Sequence, residues 1–259
     1  MELRRGSQLL AALALSAAAQ AQPVRVILVG DSTLATRSGY GDALCQRFRP
    51  DVACINLARG GRSSGSFRAE GLWDRVRDLL REGASTYRAS YVLIQFGHND
   101  QPGKPGRSTD LANEFPANMA RYVTEVKALG GVPVLLTPLT RRSFKSGVLQ
   151  NDLRPWAEAS IQVAVNQQVP LLDLNALSYA AVQAMGEDEA DTLAMAPKPA
   201  VGVPALPSSQ SERAGAANPI FDRTHLGDKG ARLFSAMVAR ELVRLQPDLK
   251  NYLKAEPKQ

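Results

Sequence analysis

Short apolar runs alternating with helix-patterned segments restrict the folds open to this chain more than any other feature. Residues 24–29, 52–57, 91–96, 132–136 and 169–173 read as strands, each a short continuous apolar run. Helical patterning covers residues 40–48, 72–80, 114–129, 156–167, 176–185 and 228–245, and Gly130-Gly131 stops the third of these. Near-continuous apolar strands joined by helices imply a parallel sheet covered on both faces. With right-handed crossovers, the expected fold is α/β: a three-layer α/β/α sandwich around a five-stranded parallel sheet of flavodoxin-like order. Such sheets bind ligands beyond the carboxyl ends of their strands. Chemistry is therefore sought at residues 30–33, 58–66, 97–100, 137–142 and 173–175.

Two segments stand outside this rhythm. Residues 1–21 combine a charged start (Glu2, Arg4, Arg5), an apolar run and an Ala19-Gln20-Ala21 cleavage pattern, and read as a signal peptide. The apolar run is too short to span a bilayer, which takes about 20 residues. Export is expected, to a periplasm or the medium, with residues 22–259 forming a single domain. Losing Glu2, Arg4 and Arg5 takes the formal charge from +6 to +5. No basic run interleaved with aromatics suggests nucleic acid. Residues 186–220 hold Pro197, Pro199, Pro204, Pro207 and Pro219, and read as an irregular insertion, too Pro-rich for a helix. Cys45 and Cys54 are compatible with either one bridge or two buried thiols. They make no metal site with the two separated histidines, so no metal or other cofactor is expected.

With two histidines, His98 and His225, the search for a base is short. Ser32 lies two residues past the first strand, and a serine becomes a nucleophile only when a base takes its proton. His225 is the natural base, with Asp222 three residues earlier to orient it. Asn99 can donate a hydrogen bond to an oxyanion without titrating, and the Gly61 N–H lies in a loop where the main chain can approach a ligand closely. His98, beside Asn99, is expected to be a hydrogen-bonded structural residue. Trp73 and Trp156 fall on helical stretches and are expected in the core.

One motif points elsewhere. Gly61-Arg62-Ser63-Ser64-Gly65 spells the G-x-S-x-G nucleophile elbow, and the order Ser63, Asp173, His225 suits that fold. An elbow needs a strand running straight into the first glycine, and here Ala58-Arg59-Gly60 intervenes. Ser32 is therefore preferred.

Gly30-Asp31-Ser32-Thr33, Gly61-Arg62-Ser63, Gly97-His98-Asn99-Asp100 and Asp222-x-x-His225 resemble, in order, the four blocks of the SGNH (GDSL-like) hydrolases. The fuller strings, residues 58–64 and 95–101, resemble the rhamnogalacturonan acetylesterase group. Thr33 departs from the leucine frequent in the wider superfamily. The resemblance implies an SGNH hydrolase fold with Ser32 as nucleophile, His225 as general base and acid, and Asp222 as orienting carboxylate. It also implies an oxyanion hole from the Ser32 and Gly61 N–H groups and the Asn99 side chain, and no cofactor. The expected reaction is removal of acetyl groups from an acetylated oligo- or polysaccharide. Arg62, Arg141 and Arg142, on loops at the same sheet edge, are candidates for holding a galacturonate carboxylate. The alternatives are a lipid ester or thioester hydrolase using the same residues, and a non-catalytic carbohydrate-binding protein.

Overall fold

In the computed structural model, residues 22–199 and 220–255 are described. The signal-peptide segment and residues 200–219 of the Pro-rich insertion lie outside them. The main sheet contains β1 (Val24–Gly30), β2 (Ala53–Asn56), β3 (Ala89–Gln95), β4 (Val132–Leu136) and β7 (Leu171–Leu172), in the order β2-β1-β3-β4-β7. Every pairing in it is parallel, from Arg25↔Ala53 and Val24↔Ala89 to Leu136↔Leu172. This is the flavodoxin-like order, and β1 sits inside it, buried along its whole length.

The two-residue side-chain period of the strands builds the three layers. Val24, Val26 and Leu28 of β1 face one core. There they meet Leu44 of α1 (Gly41–Cys45), Val182 of α6 (Leu174–Met185) and Phe234, Val238 and Leu242 of α8 (Asp228–Leu245). Ile27 and Val29 face the other. Their partners are Val76 and Leu80 of α3 (Leu72–Glu82), Met119 and Val123 of α4 (Glu114–Ala128), and Trp156 and Val163 of α5 (Arg154–Gln167). Both tryptophans are buried, as expected.

The structure departs from the sequence reading in four places. The last strand is shorter than 169–173, because Pro170 has no N–H to give the ladder and only accepts, from the Leu135 N–H at 3.0 Å. Asp173 then leaves the sheet to cap α6, accepting from the Ala176 N–H. Phe144–Lys145 (β5) and Val148–Leu149 (β6) form an unanticipated hairpin. Its Ser146 and Gly147 both have positive φ, 50° and 77°, as a tight two-residue hairpin turn requires. A single turn of helix, α2 (Ser66–Ala69), follows the glycine-rich loop. Finally, the insertion opens as a helix, α7 (Glu187–Asp191), because its prolines begin only at Pro197. No helix among the described residues is long and apolar enough to cross a membrane.

Cys45, at the end of α1, and Cys54, on the adjacent β2, are joined by a disulfide with their Cα atoms 5.3 Å apart. The bridge pins the edge strand to its helix over a sequence separation of 9. A loop of this size is worth about 2–3 kcal/mol in the chain-entropy account. Replacing both cysteines by alanine should lower the urea unfolding free energy by that amount. Reductant should bring the wild type down to the variant, and an unmoved midpoint would contradict a structural role for the bridge.

Candidate active site

The carboxyl ends of β1, β3 and β4 open onto one edge, and the candidate residues gather there. Ser32 follows β1 in a turn closed by Leu34 and Ala35 N–H groups donating to the Asp31 carbonyl at 3.2 and 3.0 Å. Its side chain is 8% exposed, at the surface of an otherwise buried segment. Beneath it lies a buried polar chain. Tyr40 Oη donates to Gln95 Oε1 at 2.5 Å, Gln95 Nε2 to Thr33 Oγ1 at 2.7 Å, and Thr33 Oγ1 and N to Asp31 Oδ1 at 2.8 and 2.9 Å. The chain ends where Asp31 Oδ2 meets His98 Nδ1 at 3.2 Å. Burial pushes the Asp31 carboxyl up, but the charge and hydrogen bond of His98 and the Thr33 bonds hold it below its ordinary range. His98 is thus built into the support of the Ser32 turn, the structural place expected for it. The roles of Asp31 and Gln95 in this network were not anticipated.

Asp222 and His225 are brought together. Asp222 Oδ2 lies 2.7 Å from His225 Nδ1, and Oδ1 accepts the Thr224 and His225 N–H groups at 2.7 Å each. Burial raises the Asp222 carboxyl, but the hydrogen bond and charge of His225 and the two N–H groups outweigh it, so the group is held below its usual range. It stays ionised near neutrality, able to orient the imidazole and stabilise its protonated form. The loop is also tied to the Ser32 turn: the Leu226 N–H donates to the Ser38 carbonyl at 2.9 Å, and Ser38 Oγ to the Ser32 carbonyl at 2.7 Å.

The glycine-rich loop comes up beside Ser32. The Arg59 N–H donates to the Gly30 carbonyl at 2.9 Å, and a Cβ built on Gly60 would sit 3.7 Å from Ser32 Cβ. Gly61 has φ +76°, a conformation other residues adopt only with strain. Asn99 reaches the same loop, its Nδ2 donating to the Arg62 carbonyl at 3.1 Å and keeping a second N–H available. Ser63, by contrast, is fully buried. It exchanges hydrogen bonds with Ser66: Ser63 N–H to Ser66 Oγ at 2.9 Å and Ser66 N–H to Ser63 Oγ at 3.1 Å. These bonds place it at the start of α2, away from the surface.

The three arginines expected to face a substrate carboxylate are engaged by the protein. Arg62 gives Nε and Nη2 to Glu70 at 2.9 and 2.7 Å and Nη1 to the Gly60 carbonyl. Arg141 pairs with Asp152 and Gln101. Arg142 departs furthest from the expectation, because it is fully buried. Its Nη2 donates to the Asp222 and His225 carbonyls at 3.0 and 2.8 Å, its Nη1 to the Thr224 carbonyl at 3.3 Å, and its N–H to the Arg223 carbonyl at 2.8 Å. Burial lowers its guanidinium to about 10, with Asp222 and Asp191 opposing, so it remains a cation at neutral pH. From the other side, Arg223 makes two 3.0 Å bonds to the buried Asp191 of α7, which Lys198 also pairs at 2.9 Å. The opening of the insertion therefore braces the Asp222–His225 loop.

Asp100, which the sequence places in the third block without a role, is a buried carboxylate. It accepts Ser64 Oγ at 2.5 Å, the Ser64 N–H at 3.0 Å and Thr109 Oγ1 at 3.0 Å, so it ties the glycine-rich loop to the segment after β3. Burial pushes its carboxyl up to about 6, over the lowering effect of those hydrogen bonds. A carboxyl raised on folding binds its proton more tightly in the folded chain. Its contribution favours folding at low pH and is lost as pH rises from about 4 through about 6. The stability of the wild type relative to Asp100→Asn should therefore fall by up to about 3 kcal/mol between about pH 4 and pH 7. Urea titrations of both proteins across that range check it, and a constant difference would contradict it.

The family model for the GDSL-like lipase/acylhydrolase family matches residues 26–233. The rhamnogalacturonan acetylesterase RhgT of Bacillus subtilis is 30% identical over 240 residues, covering 90% of this chain and 95% of the relative. A probable rhamnogalacturonan acetylesterase, YesY, of the same organism is 28% identical over 227 residues, covering 85% and 93%. Among solved structures, the YxiM protein of Bacillus subtilis superposes with a TM-score of 0.65 at 23% identity. That match takes in 86% of this chain but 57% of the YxiM chain, and it speaks to the fold alone.

Proposed function

This chain belongs to the GDSL-like lipase/acylhydrolase family, in the rhamnogalacturonan acetylesterase-like group, and is a carboxylic ester hydrolase; on that premise we propose that it is an exported serine esterase removing acetyl groups from a pectic rhamnogalacturonan. The observation that carries the mechanism is the 2.7 Å contact between Asp222 and His225 Nδ1, in a loop hydrogen-bonded to the turn that bears Ser32. Export rests on the charged start, apolar run and Ala19-Gln20-Ala21 pattern, and residues 22–259 are proposed as one domain.

In this reading Ser32 Oγ attacks the acetyl carbonyl carbon as His225 Nε2 takes its proton. The C=O π electrons move onto oxygen, where the Ser32 and Gly61 N–H groups and Asn99 Nδ2 stabilise the oxyanion. Collapse breaks the bond to the sugar oxygen, which receives the proton from His225. The acetyl group is left on Ser32. Water, deprotonated by His225, then attacks this ester, and acetate leaves as the serine regains its proton. Asp222 holds the Nδ1–H tautomer and offsets the imidazolium charge in both halves.

Acetate release from acetylated rhamnogalacturonan, acetylated xylan and a lipid ester, measured side by side, tests the substrate. Release should be fastest from rhamnogalacturonan, and Ser32→Ala and His225→Ala should each lose about a thousandfold or more in kcat. Asp222→Asn should lose less. A preference for the lipid ester would replace this reading with lipid or thioester hydrolysis. Sugar binding without hydrolysis of any ester would favour a binding protein.

A further inference from the structure

The engagement of Arg62, Arg141 and Arg142 leaves open which cation, if any, meets the acid group of a uronic substrate. Arg107 lies in the segment that follows β3 and returns over the glycine-rich loop. Its Nη1 is 3.5 Å from both the Gly61 carbonyl and Asn99 Oδ1. A Cβ added at Gly61 would also meet it at 3.5 Å, and Gly61 adjoins Gly60, whose own Cβ would lie 3.7 Å from Ser32 Cβ. The guanidinium thus touches the same two-glycine stretch that lies against Ser32.

Two long contacts to neutral oxygens leave most of its five N–H donors unused. Among the described residues it has no carboxylate partner, although it is half-buried, whereas Arg62 pairs with Glu70, Arg141 with Asp152 and Arg223 with Asp191. An arginine is charged at any working pH, and its planar fork fits a carboxylate through two parallel hydrogen bonds. A half-buried cation without a counter-ion beside two candidate oxyanion donors suits an anion that arrives with the substrate.

We propose that Arg107 binds the carboxylate of a uronic acid residue in the substrate, next to the acetyl ester presented to Ser32. This rests on the esterase reading and adds the acidic sugar as its specificity element. Attraction to the carboxylate is made in the ground state as well as the transition state, so its loss should appear mainly in KM.

The test compares wild type, Arg107→Gln and Arg107→Lys on an acetylated oligogalacturonide, an acetylated xylo-oligosaccharide and p-nitrophenyl acetate. For Arg107→Gln, the fall in kcat/KM on the oligogalacturonide should exceed that on the neutral esters by about 10- to 100-fold, as expected for lost charged hydrogen bonds. Arg107→Lys should recover part of it, since a point charge keeps the attraction without the fork. Added salt should weaken the wild-type preference for the acidic substrate. Equal loss on all three substrates would instead give Arg107 a role in the oxyanion site, and no loss would give it none; either result overturns the proposal. Calorimetric binding of unacetylated trigalacturonate separates this from failure of the esterase reading. Weaker binding in Arg107→Gln supports the cation site even if acetyl release fails, and identical binding refutes it.

Discussion

A guanidinium buried among backbone carbonyls holds the candidate site together. The segment from Asp222 to His225 belongs to no helix or strand, so nothing regular fixes its backbone. Its shape comes from opposite charges on its two sides. The Asp222 carboxylate collects the N–H groups of Thr224 and His225, and Arg142 collects the carbonyls of Asp222, Thr224 and His225. Each ion satisfies backbone groups that would otherwise be costly to bury. Removing Arg142 would leave the Asp222, Thr224 and His225 carbonyls without this donor, at about 1–3 kcal/mol for each buried polar group left unsatisfied. Arg142, on the segment that follows β4, thereby ties the His225 loop to the sheet's carboxyl edge.

A second polar network does the same for the serine. The Ser32 turn sits on Asp31, which is bonded through Thr33 to Gln95 and Tyr40 and directly to His98. Gln95 is the last residue of β3 and His98 follows within three, so the turn after β1 is locked to the neighbouring strand's end. Asp100, two residues further, fixes Ser64 in the glycine-rich loop. One segment, residues 95–100, thus positions both the Ser32 turn and the loop carrying Gly61. A parallel sheet permits this because all its strands end on the same edge.

Much of this was legible in the sequence. Buried parallel strands read as apolar runs, so the sheet and its helices followed from patterning alone. The partnership of Asp222 with His225 was visible because histidine is scarce and the spacing is three. Features decided by tertiary contact stayed hidden. Nothing in the string distinguishes a buried Arg142 from a half-buried Arg107, since both follow strands and differ only in which oxygens they meet. The β5–β6 hairpin has too few residues to show alternation. Proline content masked the helix at 187–191, because composition averaged over the insertion hides that its first residues are acidic and proline-free. The G-x-S-x-G string has a local structural role that its spelling does not show: Ser63 and Ser66 satisfy each other at the start of a helix.

Ser32, and not another serine at this edge, is the proposed acceptor of the acyl group. Labelling the protein with a fluorophosphonate and mapping the adduct by peptide mass spectrometry tests it most directly. One adduct is expected, on Ser32, abolished in His225→Ala. An adduct on Ser63, or labelling of Ser32 that survives loss of His225 while His98→Ala abolishes it, would contradict it.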